Sequence, residues 1–247
     1  GAGTNAATSG ASNTGSGGGG ANNAIGAFGG TGVVIIRYTP ILDMAWNKNS
    51  VAAGYAFLNN SNDPVMPTAS NAAWTLEAWV KLDTGATVSG WSPLLGQQDN
   101  TDAATGRQNI WLNSGQIYLI GPSYNQETGL YLPEGRWTHL AWVMSTTTSS
   151  QLYINGSLAW SGTINRATTG AFFTVGGSRQ VEAGGSPTFD GQIDQVKVWG
   201  ANLSSTQVAN SMHNHGSSFS GAPSASCSTG LRAHYDFNEF SSGIVID

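Results

Sequence analysis

The sequence predicts an all-β protein, a two-sheet antiparallel sandwich with one short helix. Three observations predict it: extended stretches with a two-residue hydrophobic period, a tight turn between two such stretches, and a single segment with helix-capping residues. A two-residue period places successive side chains on opposite faces of a strand. The 247 residues are enough for one sandwich with a sizeable core.

Four stretches are predicted as strands and hairpins, and the first shows the period best. In WTLEAWVKL, Trp74–Leu82, the even-numbered residues are apolar and share one face, whereas Thr75, Glu77, Trp79 and Lys81 share the other. This alternation predicts a half-buried strand with one dry and one wet side. The other three stretches are Gly135–Met144, Leu152–Leu158 and Phe189–Trp199.

The pair Asn155-Gly156 predicts a hairpin. It separates two short β-rich runs, and Asn-Gly favours positive φ at both central positions. We therefore expect a tight type I′ turn between two antiparallel strands.

One helix is predicted after the last of these strands. Ser204 can cap its start, with Gln207 completing a capping box and Leu203 packing on Val208 as a hydrophobic staple. Val208 and Met212, four residues apart, would press the helix against the sandwich. We expect it to act as a cover for the sheet.

Residues 1–40 form a glycine-rich N-terminal segment, and residues 41–247 hold the sandwich. Residues 1–32 contain twelve of the 34 glycines, and no residue up to Ile36 is charged. Such a composition is typical of a flexible segment. The segment ends in Val33–Tyr38, whose β-branched start predicts a strand. This strand either extends the sandwich or completes the sheet of a neighbouring subunit.

Ordered motifs connect the larger segment to a known family. They are AFLNNSNDPVMP at Ala56–Pro67, then LEAWVK, GRWTHLAWV, LYINGSL, FTVGG, FDGQIDQVKVW, LSSTQV and GLRAHYDFNEFSSG. From about Asp43 to Asp247, the chain resembles the laminin-G-like, pentraxin-like jelly-roll modules of the concanavalin A-like lectin and glucanase superfamily. The resemblance implies a concanavalin A-like jelly roll, with two antiparallel sheets packed face to face.

Two terminal stretches bear on assembly. GGTGVVIIRY resembles the closing strand of glycine-rich domains in phage tail-fibre and bacterial surface proteins, which implies a fibre or surface context. If Leu231–Phe237 pairs with its own sheet, the module closes as a monomer. If Val33–Tyr38 or Ile244–Ile246 reaches a neighbour as an edge strand, the protein self-associates.

The composition excludes some partners and indicates a compartment. Only 9 % of the residues are charged, the formal net charge is −5 and the pI is about 5.2. No basic patch is expected, which argues against nucleic acid as a partner. The sequence also contains no apolar run of 18 residues, the length that a membrane-spanning helix needs. Hydroxyl- and amide-rich chains of this kind are typical of extracellular, cell-surface or virion proteins. Cys227 is the single cysteine, so no disulfide can form within this chain; we expect an unpaired thiol, with an intermolecular bridge as the alternative.

No catalytic motif is recognised, and we expect no enzyme activity. Glycosidases use two carboxylates, one as acid and one as nucleophile or base, and the closely spaced acidic strand of the superfamily's hydrolases is missing. Asp190 and Asp194 are interpreted as turn and strand-start residues. His139 is interpreted as a partly buried strand residue, and His213 and His215 fall on different helical faces.

Calcium is the one cofactor that the family resemblance suggests. Modules of this kind often bind it at one rim, through six to eight oxygen ligands. The possible ligands are Asp63, Asp99, Asn100, Asp102 and Asp194.

Carbohydrate binding would need aromatic platforms beside amides and hydroxyls. Trp91, Tyr124 and Tyr131 are the predicted ligand-binding residues, because they lie in polar stretches interpreted as loops. The other strand tryptophans are predicted to fill the core, namely Trp74, Trp79, Trp137, Trp142 and Trp199.

These observations predict a structural or adhesive subunit of an extracellular appendage, filament or virion fibre that presents a lectin-like sandwich. The alternative is a secreted calcium-dependent carbohydrate-binding module. The expected partners are further copies of the chain, through the edge strands Val33–Tyr38 and Ile244–Ile246, and glycans.

Overall fold

A computed structural model gives the fold of the chain. It describes residues 46–47, 56–59, 65–69, 71–86, 90–98, 106–122, 124–146, 148–170, 172–177, 189–214, 221–222, 230–237, 240–241 and 244–245. All of them belong to the second of two units into which the chain divides, Leu42–Asp247. The glycine-rich segment with Val33–Tyr38, and Cys227, lie outside the described residues, so the predictions made for them stay predictions.

Short strands dominate the described part of the chain, with one helix. The strands are β1 (Trp46–Asn47), β2 (Ala56–Asn59), β3 (Trp74–Leu82), β4 (Trp91–Gln98), β5 (Gln108–Asn113), β6 (Gln116–Gly121), β7 (Tyr124–Tyr131), β8 (Thr138–Met144), β9 (Ser149–Ile154), β10 (Ser157–Thr163), β11 (Phe172–Val175), β12 (Gly191–Trp199), β13 (Leu231–Tyr235), β14 (Phe240–Ser241) and β15 (Ile244–Val245). The helix α1 is Ser205–Met212.

The strands form two large antiparallel sheets, which confirms the predicted all-β jelly-roll sandwich. The seven-stranded sheet has the order β1-β12-β3-β8-β9-β10, with β13 also paired to β12. The six-stranded sheet has the order β2-β11-β4-β5-β6-β7. Strands that are neighbours in space are often distant in sequence, so register between remote segments determines which side chains meet.

The main core lies between the two sheets. It joins Leu76 and Val80 of β3 to Ile110 and Leu112 of β5, all fully buried. Trp74 packs edge-on against Trp142, with ring centroids 4.9 Å apart and planes at 81°. Burial of such side chains away from water is the dominant stabilising contribution to the sandwich.

The second face of β3 is also buried, which corrects the prediction of a half-buried strand. Thr75 and Glu77 are fully buried although they point away from the main core. The helix side of the seven-stranded sheet has its own small apolar cluster, which includes Trp199, Leu203 and Val208. The period of β3 was predicted correctly, but a distant helix covers the face that looks polar in sequence.

The helix begins as its capping residues predict. Ser204 accepts a hydrogen bond from the backbone N–H of Gln207, and the Gln207 side chain accepts one from the backbone N–H of Ser204. Leu203 and Val208 are both buried in the helix-side cluster. The other buried residue of the helix is Ser211, whereas the predicted contact Met212 is only half-buried.

The Asn155-Gly156 hairpin is confirmed. Asn155 has φ of 49° and Gly156 has φ of 77°, the positive values that a type I′ turn requires. The Asn155 side chain also accepts a hydrogen bond from the backbone N–H of His139, which ties the turn to β8. This turn fixes the register of β9 and β10.

The predicted core tryptophans do not all lie in the core. Trp74, Trp142 and Trp199 are fully buried, as predicted. Trp137 is 40 % exposed, and it lies outside the sheet because β8 begins one residue later. Trp79 is half-buried and donates from its indole nitrogen to the carbonyl of Met212 at 3.1 Å, so it supports the helix instead.

The ends of the sheets bear on the predicted assembly. β13 pairs with β12 of its own sheet, and β15 pairs with β14, each of these two strands being two residues long. Self-association through Ile244–Ile246 therefore stays a prediction. Within the described part of the chain, no helix is long and apolar enough to cross a membrane.

Candidate functional site

The outward side of the six-stranded sheet carries the candidate site. Alternation in β5 sends Ile110 and Leu112 into the core and leaves Asn109, Trp111 and Asn113 on the opposite side. The same alternation applies to β6, and to β4 and β7 on either side of their register shifts. Their outward residues are mostly aromatic or amide-bearing.

Backbone register aligns these outward residues in rows across the sheet. The register pairs of the first row are Trp91 with Asn113, Asn113 with Gln116, and Gln116 with Tyr131. Residues directly opposite each other in antiparallel strands share a face. The first row therefore places two amides between two aromatic residues.

The second row lies two residues further along each inner strand. Its register pairs are Pro93 with Trp111, Trp111 with Tyr118, and Tyr118 with Glu127. Beyond it, Asn109 stands opposite Gly96, and Gln98 follows on the same side of β4. We call the two rows, together with Gln98 and Asn109, the aromatic-amide face.

The aromatic rings of the face contact one another at their edges. The Trp91 ring lies 4.8 Å from the Tyr118 ring and 5.9 Å from the Trp111 ring, both with interplanar angles of 69°. Edge-to-face contacts of this kind hold rings in fixed orientations. Tyr131, at the other end of the first row, is 64 % exposed. The face therefore offers a fixed aromatic group at one end and an exposed ring at the other.

Polar groups on the face are linked in a network. Gln116 donates to the Glu127 carboxylate at 2.7 Å. Partial burial and the negative charge of Glu127 raise the pKa of Tyr118, whose side chain also interacts with that of Asn113. The Glu127 carboxylate is thus held in place as a hydrogen-bond acceptor beside two aromatic rings.

Several buried polar atoms of the face have no hydrogen-bond partner in the described part of the chain. They are both amide atoms of Gln98, both amide atoms of Asn109, and the indole nitrogen of Trp111. These side chains are 0 %, 2 % and 5 % exposed, respectively. A buried polar atom without a partner costs about 1–3 kcal/mol. The face therefore has hydrogen-bonding capacity that the protein itself does not use.

Gly96 makes room for one of these amides. Its φ of 145° favours glycine, and a Cβ there would collide with the Asn109 side chain and with the backbone of β5. The Asn109 amide therefore occupies the space where a side chain of β4 would otherwise stand.

Two of the predicted ligand-binding residues lie on this face. Trp91 and Tyr131 occupy opposite ends of the first row, but both belong to strands and not to loops, which corrects the interpretation of their surroundings. Pro93, Gly96 and Gly129 made β4 and β7 look like loops. Pro93 is tolerated because it sits at a register shift in the pairing with β5. Tyr124 begins β7 opposite Gly121, and its side chain lies outside the described part.

The calcium prediction stays a prediction. Asp63, Asp99, Asn100 and Asp102 lie outside the described residues. Asp194 is a buried residue of β12 whose carboxylate accepts a hydrogen bond from the backbone N–H of Gln195 at 2.6 Å. In the described ranges, no three His, Cys, Asp or Glu side chains come together as a metal site would require.

A second polar cluster lies beneath α1 on the other sheet. The buried Glu77 carboxylate accepts from Trp199 at 2.8 Å and from Ser211, and lies 3.4 Å from His139. Lys197 donates to the carbonyl of Ser211 at 3.0 Å. These contacts tie the helix to the sheet. His139 is buried more completely than predicted.

A family model matches residues 52–209, Laminin_G_3, whose description is the concanavalin A-like lectin/glucanases superfamily. The chain belongs to this family. The matched range covers more than half of the chain and includes the whole aromatic-amide face. A search of the curated proteins finds no match to the chain.

Solved structures share the fold of this family member. A protein from Bacteroides ovatus ATCC 8483, provisionally described as carbohydrate-binding, matches with a TM-score of 0.52 and 17 % identity over 74 % of this chain and 49 % of its own. The chain thus spans about half the length of that protein. At such identity the likeness establishes the fold alone.

Two further structures match less closely. The heptameric SAP-like pentraxin from Limulus polyphemus has a TM-score of 0.43 and 18 % identity over 63 % of this chain and 79 % of its own. Domain 4 of AbnA, a GH43 extracellular arabinanase from Geobacillus stearothermophilus in complex with arabinotriose, has a TM-score of 0.45 and 20 % identity over 68 % of this chain and 85 % of its own.

Sequence reasoning missed Trp111, Tyr118, Gln116, Glu127 and the two buried amides. The run IWL in β5 (Ile110–Leu112) is apolar throughout, so its period does not show which residues face outward. The stronger signal was the alternation in QIYLI of β6, where Ile117 and Leu119 are the core residues and Tyr118 lies opposite.

Proposed function

We propose that the chain is a carbohydrate-binding module whose ligand lies on the aromatic-amide face. The observation that carries the proposal is the first row, in which Asn113 and Gln116 lie between Trp91 and Tyr131. Aromatic rings pack against the apolar faces of sugar rings, while amides donate to and accept from sugar hydroxyls. A row of this composition suits a ligand with both kinds of surface.

The unpaired polar atoms beside the first row support the same proposal. Gln98, Asn109 and Trp111 together keep both donors and acceptors without partners. Natural proteins rarely retain such groups unless they have a use. Because these atoms are buried, a hydroxyl-rich ligand would form hydrogen bonds with them only after the groups that cover them had moved aside.

The proposed role is binding without catalysis. A glycosidase of the usual type needs two carboxyl groups on either side of the scissile bond. Among the ten residues of the aromatic-amide face, Glu127 is the one acid, and it already accepts a hydrogen bond from Gln116. We propose an extracellular location for this module, which fits the low charge and the hydroxyl-rich composition of the chain.

Substitution of the two terminal aromatic residues tests the proposal. The full chain is applied to a glycan array, and each bound glycan is then titrated by calorimetry against wild type, Trp91→Ala and Tyr131→Ala. Each variant should lose about tenfold or more in affinity, since an anchoring aromatic residue contributes about 2 kcal/mol or more. Trp137→Ala is the matched control, because Trp137 is an exposed tryptophan outside the face.

Calcium dependence is a separate part of the proposal. Asp63, Asp99, Asn100 and Asp102 are proposed ligands on the basis of the family resemblance, with Asp194 the least suited because its carboxylate is buried in a strand. The array is repeated with chelator-treated protein. Binding that survives the chelator removes calcium from the proposal and leaves the aromatic-amide face in place.

A second candidate function is an adhesive subunit of a surface appendage or fibre. Among the described strands, β1 and β10 end the seven-stranded sheet, and β2 and β7 end the six-stranded sheet, so each sheet has open edges. Such edges pair readily with strands of other chains. Light scattering over a range of concentrations tests this role, and a constant monomer mass would argue against it.

A further inference from the structure

We infer, on the basis of the proposed function, that the ligand is an uncharged oligosaccharide lying across strands β4 to β7. The alternatives are an acidic glycan and a single sugar residue. Two independent features of the aromatic-amide face distinguish these ligands: the charge of the face and the length of its first row.

The charge of the face disfavours acidic ligands. Glu127 is the one charged residue among the ten that form it. The nearest basic residue along β5 is Arg107, which precedes the strand and already has an interaction of its own. The chain as a whole carries a formal net charge of −5. A carboxylated or sulfated sugar on this face would meet a like charge, and none of the ten described residues of the face is a compensating cation.

The position of Glu127 strengthens this argument. Gln116 fixes its carboxylate at 2.7 Å, and Tyr118 stands opposite it in the register. The carboxylate is exposed, so it can accept hydrogen bonds from a ligand. Uncharged sugars present many hydroxyl donors, whereas an acidic group presents acceptors and negative charge. The Glu127 carboxylate therefore attracts uncharged sugars and repels acidic ones.

The length of the first row favours several sugar residues over one. Trp91 lies on β4 and Tyr131 on β7, three strand spacings apart, and the two amides stand between them. Neighbouring strands are about 4.8 Å apart, which makes the row about 14 Å long. A single sugar ring would contact only one end. A chain of sugars running across the strands would contact Trp91, both amides and Tyr131 together.

The charge class is tested with a glycan array that prints neutral oligosaccharides beside carboxylated and sulfated forms of the same backbones. Wild-type protein should prefer the neutral form by about tenfold, since like charges at close range cost on the order of 1 kcal/mol or more. Stronger binding of the acidic forms overturns the inference. If that binding is still lost in Trp91→Ala, the proposed function stands.

The Glu127→Gln variant shows whether this residue sets the preference. The substitution keeps the side-chain shape and removes the charge, so the difference in affinity between the neutral and the acidic glycans should become smaller. Glu134→Gln is the matched control, because Glu134 is an exposed glutamate outside the face. If Glu127→Gln shows the same difference in affinity between neutral and acidic glycans as the wild type, the argument from charge is overturned. Absence of binding to every printed glycan overturns the proposed function itself.

The length of the ligand is tested by calorimetry with a neutral oligosaccharide bound on the array and the monosaccharide of which it is made. The oligosaccharide should bind at least about tenfold more tightly, because it reaches both aromatic ends. Tyr131→Ala should reduce the affinity for the oligosaccharide and leave that for the monosaccharide at the Trp91 end unchanged. Equal affinities of wild-type protein for the two ligands would overturn the inference of an extended ligand.

Discussion

Gln97 and Gln98 are adjacent in β4 and almost equally buried, but their side chains have different surroundings. Gln97 points toward the core side, where it accepts a hydrogen bond from the backbone N–H of Met66 at 2.9 Å. Gln98 points toward the aromatic-amide face, and neither of its amide atoms has a partner. At the scale of single residues, Gln97 forms a hydrogen bond within the fold, whereas the buried amide of Gln98 forms none and lowers the stability of the fold.

We predict opposite effects from the same substitution at these two positions. Gln98→Leu should raise the free energy of unfolding by about 1 kcal/mol, because it removes two unsatisfied buried polar atoms. Gln97→Leu should lower it by about 1–3 kcal/mol, because the Met66 amide loses its acceptor. Urea unfolding measures both. A destabilised Gln98→Leu would contradict this account of the face.

Glu77 is the residue on which the polar cluster beneath α1 depends. Burial by itself raises the pKa of Glu77, but hydrogen bonds from His139 and Ser211 and the charges of His139 and Lys197 outweigh it and leave the pKa lowered. Burial lowers the pKa of Lys197, and the nearby carboxylates of Glu77 and Asp194 oppose this. The carboxylate is therefore more stable in the folded protein than in the unfolded chain.

We predict that this carboxylate makes stability fall in acid. With a folded pKa below the ordinary value of 4.5, Glu77 contributes fully above pH 4.5, and its contribution is lost as the pH falls through the folded pKa. Glu77→Gln should lower stability at pH 7 and flatten this acid dependence by up to about 1.4 kcal/mol per pH unit. Urea unfolding between pH 7 and pH 3 measures both. Glu134→Gln is the exposed control, and an equally steep dependence in Glu77→Gln would contradict the prediction.

At the scale of elements, α1 determines which sheet face stays accessible. The helix begins at a capping box and places Val208 and Ser211 on the seven-stranded sheet. Thr75 strengthens this contact, since its hydroxyl donates to the carbonyl of Ala201 at 2.8 Å and accepts from the backbone N–H of Leu203 at 3.0 Å. The cover is thus held at its start by hydrogen bonds and along its length by burial.

We predict that removing the cap weakens this cover. Ser204→Ala should lower the free energy of unfolding by about 1 kcal/mol, because the backbone N–H of Gln207 loses its acceptor. This corresponds to a fall in Tm of about 2–4 °C for a domain of this size. Ser205→Ala removes the same hydroxyl one residue later, where it caps nothing, and should leave Tm nearly unchanged. Equal effects of the two substitutions in thermal unfolding would show that the cap contributes little.

At the scale of the whole molecule, the two sheets have different outward sides. The seven-stranded sheet is covered by α1 over Thr75, Glu77 and Trp199, all fully buried. The six-stranded sheet leaves Tyr131 exposed and Trp91 half-buried at the ends of one row. A ligand on the six-stranded sheet can therefore bind without displacing any part of the helix. Its binding free energy then adds to the free energy of unfolding.

We predict that a bound glycan stabilises the whole fold. A ligand at 100 times its Kd adds about 2.7 kcal/mol to the free energy of unfolding, which raises Tm by several degrees at about 2–4 °C per kcal/mol. The shift should disappear in Trp91→Ala and persist in Trp137→Ala at the same ligand concentration. Differential scanning fluorimetry measures it, and an equal shift in all three proteins would place the ligand elsewhere on the molecule.

The sequence by itself determined the strand type, the hairpin and the helix start. A two-residue period, an Asn-Gly pair and a capping box act over a few neighbouring residues, so their consequences can be worked out locally. This is why β3, the turn at Asn155 and the cap at Ser204 agree with expectation. The family resemblance extended these local signals to the jelly roll. Trp91 and Tyr131 were found as aromatic residues in polar surroundings, although their strands were missed.

Only the tertiary structure decided which outward face is covered and which side chains share a row. Trp91, Asn113, Gln116 and Tyr131 come from four strands, and their alignment depends on register between them, including the shifts at Pro93 and before Tyr131. A shift of one residue in any of these strands would reverse the face on which its side chain lies. The physical reason is that strand pairing joins distant segments, so neither the aromatic-amide face nor the burial of Glu77 is a property of any local stretch of sequence.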